Sequence, residues 1–152
     1  MIKIILAFIA STALVSLAHA GVNDFKDFKS MTASDFYYVT CSGQDTNYDN
    51  SDVHVRILVK DGQLDSFKFF NIVPAKSILT RDLRSYDLAQ LKLDVRKSSL
   101  GVVGSIDTGY YPTEVYLRVW QTKNGMEGFF SYDDNDGLYF DGVKLKCGGT
   151  TY

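Results

Sequence analysis

The chain has 152 residues, with 16 Lys and Arg against 18 Asp and Glu, two Cys, two His and an aromatic share of 14%. A net charge of −2 leaves no basic excess to displace counterions from phosphate, so the composition argues against nucleic acid as a partner, and no polybasic run suits an anionic membrane surface.

The first segment reads as a signal peptide. Lys3 supplies a positive start, residues 4–17 are largely apolar, and Ala18-His19-Ala20 gives the small-x-small pattern of a signal-peptidase site. The apolar run is shorter than the ~20 residues that span a bilayer, and no basic cluster follows it. Position 21 is Gly, so the Cys that carries the lipid of a bacterial lipoprotein is missing from its usual place. Cleavage after Ala20 leaves 132 residues, 21–152, expected to form one domain with its own core, and 15 basic against 18 acidic side chains. The expected destination is the periplasm or the outside of the cell.

Residues 21–35 place Phe25, Phe28 and Met31 at near-helical spacing and predict a short helix against one end of the domain. From Phe36 the period changes to two. Phe36 to Ser42 is rich in aromatic and β-branched residues and predicts a strand, with Tyr37, Val39 and Cys41 on one face. Val53 to Lys60 alternates Val53, Val55, Ile57 and Val59 with His54, Arg56 and Lys60. Asp61-Gly62 then predicts a tight hairpin, because a type I′ turn needs positive φ at both central residues, and residues 64–73 form the return strand. Pro74 breaks the ladder. Ile78, Leu79 and Leu83 have helical spacing and predict a short helix or irregular crossing over 75–84.

Strand character resumes over 86–96, with Ala89, Leu91, Leu93 and Val95 expected inward. Residues 101–107 read as a softer strand with a bulge at Gly104. Val115 to Gln121 sets Val115, Leu117 and Val119 against Tyr116, Arg118 and Trp120. Asn124-Gly125 predicts a second hairpin, and 126–132 the return strand. Two segments, 138–140 and 143–147, close the domain across a turn or bulge at Asp141-Gly142, and the tail after Cys147 is expected to fray.

Roughly eight strands joined by short connections make an all-β, antiparallel meander with one or two short helices. Barrel-like closure and a two-sheet β-sandwich both accommodate it. Two cysteines in an exported domain most often pair. Cys41 and Cys147 fall on the inward faces of the first and last strands, which are neighbours in a closed meander, so a disulfide between them favours the barrel.

The chemistry available is narrow. Cleavage removes His19 and leaves His54 alone on a polar strand face, without the clusters that metal sites or Cys-His catalysis need, and no Gly-x-Ser-x-Gly elbow is present. A carboxylate pair of the kind used in glycoside hydrolysis is a matter of three-dimensional spacing. Asp45, Asn47 and Asp49 place oxygen ligands at alternate positions as calcium loops do, but Asn50 stands where the loop Gly belongs and Arg56 where the bidentate Glu belongs. Turn formation by Asn and Asp explains the same residues. Tyr110, Tyr111, Tyr116 and Trp120 cluster on one loop and the strand after it, where rings exposed opposite the apolar stripe are able to stack on a sugar or receive a peptide. The reading that emerges is an exported, non-enzymatic binding domain for a ligand, glycan or protein. The alternatives are a small carboxylate-dependent hydrolase of an extracellular or envelope polymer, and a structural envelope protein.

Overall fold

Period-two alternation dominates the computed structural model, which describes residues 27–33, 36–46, 51–72, 78–83, 85–107, 109, 111–135 and 139–151. In chain order the elements are α1 (Phe28–Thr32), β1 (Phe36–Asp45), β2 (Ser51–Lys60), β3 (Gln63–Ile72), β4 (Ile78–Leu83), α2 (Ser85–Leu88), β5 (Lys92–Val95), β6 (Ser99–Asp107), β7 (Pro112–Thr122), β8 (Gly125–Asp133) and β9 (Tyr139–Thr151). The signal segment and Tyr110 lie outside the described residues.

Among the described residues the nine strands belong to one antiparallel sheet in the order β4-β3-β2-β1-β9-β8-β7-β6-β5, curled around a single core. The two-sheet alternative is therefore set aside. The first and last strands pair with each other from Tyr37↔Thr151 to Gly43↔Leu145, so they sit in the middle of the sheet rather than at its edges. The seam of the barrel falls instead between β4 and β5, which are consecutive in sequence. There α2 and the turn after it take the place of a ladder. Leu91 enters the core, and the Asp107 N–H is held by the Gln90 side chain at 2.9 Å. Along β6, a Cβ on Gly104 would stand 2.7 Å from the Gln90 carbonyl, so the turn packs on bare backbone.

The alternating stripes named in the sequence fill the interior. Tyr37, Val39, Cys41, Val53, Val55, Ile57 and Val59 are buried, as are Val115, Leu117 and Val119. Phe67, Phe69, Phe130, Tyr132 and Phe140 form an aromatic knot with centroids 4.5–6.5 Å apart. α1 closes one end: Asp27 caps it by accepting the Ser30 N–H at 2.7 Å, and Phe28 is driven into the core edge-on to Tyr37. The cysteines stand directly opposite each other in the β1–β9 ladder and are bonded, with Cα atoms 4.0 Å apart.

Five expectations need correction. The segment 78–83, expected within a short helix or irregular crossing, is strand β4, one of nine strands among the described residues. Its helical spacing is overridden by the edge of β3, which offers it six ladder partners from Phe67↔Leu83 to Ile72↔Ile78. Conversely, 86–88 is helical, only Lys92–Val95 is strand, and Ala89, expected inward, is exposed. Gly104 makes no bulge; its register with Val115 is continuous. The stretch after Cys147 is not frayed but continues β9 to Thr151 along β1. At the second hairpin, Thr122 pairs with Gly125, so Lys123 and Asn124 are the central residues, and Gly125 (φ 125°) carries the positive φ. The expected irregularity at Asp141-Gly142 is a bulge in which both residues oppose Ser131. Phe140 and Val143 are three apart yet both buried, which a regular period of two forbids.

Candidate functional site

The side chains that point away from the core on β6, β7 and β8 form a grid fixed by register. Trp120 lies between Ser99 and Glu127, Arg118 between Gly101 and Phe129, and Tyr116 between Val103 and Ser131. Each is outward for the same reason: Val115, Leu117 and Val119 turn in, and the strand period turns their neighbours out. Tyr116 is 39% and Val103 40% exposed, while Trp120 and Arg118 are half-buried. The Tyr116 and Phe129 rings meet edge-to-face at 6.3 Å and 83°. Arg118 Nη2 donates to Ser99 Oγ at 3.3 Å, which draws the guanidinium along the sheet toward Trp120.

Phe129 is seated by the β8–β9 bulge. A Cβ on Gly142 would lie 2.7 Å from Phe129 Cζ, and Gly142 has φ 67°, so both the space and the backbone conformation belong to glycine. The Gly142 N–H donates to Ser131 Oγ at 3.0 Å. The result is a surface of two rings, an aliphatic side chain, an indole and one guanidinium, with Gly101 leaving low relief beneath Arg118. Such a surface offers apolar stacking area together with the Tyr hydroxyl, the indole N–H and guanidinium donors at its edges.

Of the four aromatic candidates, Tyr116 and Trp120 share this face. Tyr111 is 62% exposed beside the start of β7. Phe129, Val103 and Arg118 complete the surface and were not singled out from the sequence. The signal for Phe129 was present: pairing β8 with β7 across the second hairpin places it opposite Arg118.

On the same outer surface, Glu114 and Asp133 are cross-strand partners, and Asp133 also pairs with Tyr139. The Tyr139 phenol is pushed up first by the charge of Asp141, then by desolvation and by the charge of Asp133. Asp45 ends β1 on its inward face, buried opposite Ser51; Asn47 and Asp49 lie outside the described residues. Among the described residues no three His, Cys, Asp or Glu side chains group to hold a metal ion. His54 is on the outer face of β2, as its parity requires, with its ring stacked on Phe70 at 4.7 Å. Among the described residues no helix is long and apolar enough to cross a membrane.

Comparison with protein families, with curated proteins and with solved structures finds no match to this chain.

Proposed function

We propose that the protein is an exported, non-enzymatic binding domain, periplasmic or secreted, that holds an extracellular or envelope glycan or protein on the outer face of β6, β7 and β8. The observation that carries the reading is the outward row Tyr116–Arg118–Trp120 with Phe129 and Val103 beside it. These apolar groups lie on the side away from the core, where the area they leave open to solvent is available for a contact. Export is supported by the signal-like residues 1–20 and by the Cys41–Cys147 bond, which is of the kind kept in oxidising compartments.

Trp120 is the only tryptophan and therefore a built-in reporter. Titration with soluble envelope polysaccharides and peptides is expected to shift its emission for the true ligand class. Tyr116→Ala should weaken that ligand at least tenfold, about 1.4 kcal/mol, with the far-ultraviolet spectrum of the folded state unchanged. Self-association with no response to any polymer would make the protein a structural envelope component. Turnover of a polymer that stops when Glu114 or Asp133 is replaced would make it a hydrolase.

A further inference from the structure

A second surface, three strands away from Trp120, has a different chemistry. Phe36, Tyr38 and Thr40 of β1, Arg56 of β2 and Thr150 of β9 line an open concavity of about 590 Å³. Register explains the hollow. Thr40 has Arg56 on one side and Gly148 on the other, and at Gly148 a Cβ would have nothing within 4 Å. The missing side chain leaves open space beside Thr40 and Thr150, at the edge of this concavity, the trough.

The trough is cationic on a chain that is net acidic. Arg56 is exposed, and among the described residues no carboxylate stands within ion-pair distance of it. Its cross-strand neighbour Lys68 is, by contrast, paired with Asp82 at 2.6 Å. Lys60 at the rim lies over the Phe36 ring, 5.2 Å from its centroid. An unpaired guanidinium in a fork geometry matches a carboxylate with two parallel hydrogen bonds. A tyrosine ring beside it suits the apolar face of a pyranose, and the Thr40 and Thr150 hydroxyls suit its ring hydroxyls.

We propose that this trough binds an oligosaccharide bearing carboxylates, a uronic-acid glycan, with the carboxylate on Arg56, a second acidic unit toward Lys60 and the sugar face on Tyr38. The inference stands apart from the Trp120 face and does not require it.

The test is calorimetric titration of the full exported chain with tetragalacturonate, with uncharged cellotetraose and with inorganic phosphate. Binding of tetragalacturonate alone is expected, weakening as salt rises and leaving Trp120 emission unchanged. Arg56→Gln should weaken it at least tenfold. Gly148→Leu, which puts a bulky side chain beside the concavity at a position where a Cβ meets nothing within 4 Å, should weaken it at least tenfold, while Tyr116→Ala should leave it intact. Both substitutions sit at solvent-exposed positions, and equal melting temperatures confirm the fold. No binding of tetragalacturonate, equal binding of cellotetraose or phosphate, or binding that survives both Arg56→Gln and Gly148→Leu would each overturn the proposal. Loss of binding in Tyr116→Ala with Arg56→Gln unaffected would move the glycan to the β6–β8 face, overturning this site while keeping the proposed function.

Discussion

Tyr37 shows how one residue sets a local balance. Its ring fills the space where a side chain at position 149 would sit, for a Cβ on Gly149 would collide with the phenol oxygen. The ring is fully buried, and among the described residues its hydroxyl has no hydrogen-bond partner. A buried, unsatisfied hydroxyl costs about 1–3 kcal/mol. Tyr37→Phe removes that cost and keeps the packing, so urea unfolding at pH 7 should show the variant about 1 kcal/mol more stable. Burial also pushes the Tyr37 phenol above the ordinary 10.0. The unfolded chain releases this proton as pH rises through about 10 and the folded chain does not, so stability that is complete at neutral pH declines on the alkaline side. In Tyr37→Phe that decline should be shallower by up to about 1.4 kcal/mol per pH unit, measured by the same unfolding at pH 9, 10 and 11.

At the scale of elements, the strands that carry a clean alternation were legible. β2 and β7 could be read directly because every second residue is β-branched or leucine, and the first hairpin because Asp61 and Gly62 both take positive φ, at 50° and 73°. The elements at the seam were not legible. β4 has no alternating apolar stripe of its own and exists because β3 offers an edge. α2 is four residues long, too short for a period to show. The candidate site divides in the same way: Tyr116 and Trp120 followed from strand parity, whereas Phe129 and Val103 needed the pairing of three strands. The trough beside Thr40 and Thr150 carries no sequence signal, because it brings together residues of three strands, β1, β2 and β9. The seam is also where an element can be tested. Gly104→Val places a Cβ against the Gln90 carbonyl, and overpacking of this kind costs about 1–3 kcal/mol. Amide exchange should quicken over 85–91, and β1, β2 and β9 should keep their protection.

For the whole molecule, the decisive connection is β1 to β9. It joins the N-terminal half of the sheet, β1–β4, to the C-terminal half, β5–β9, and the disulfide lies in the middle of that junction. The loop it closes spans a separation of 106 residues. For loops of that length the chain-entropy account gives about 4–5 kcal/mol as an upper guide. Replacing both cysteines by Ala should therefore cost about 4 kcal/mol in urea unfolding. The ladder on either side remains, so the far-ultraviolet spectrum of the folded variant should match that of the parent at low temperature.

The same junction imposes a timetable on assembly. β2, β3 and β4 can each dock on the strand made just before them, and β6 to β9 can do the same. β1 cannot: one of its edges stays vacant while everything from β2 to β8 is made, and only then does β9 arrive to fill it. Until that moment Val39 and Cys41 belong to a half-sheet with an open flank, the kind of species that sticks to its own copies. The covalent link cannot form before Cys147 has been made, after every strand from β2 to β8. In a growing chain, Cys41 has no cysteine of its own chain to pair with until Cys147 is made.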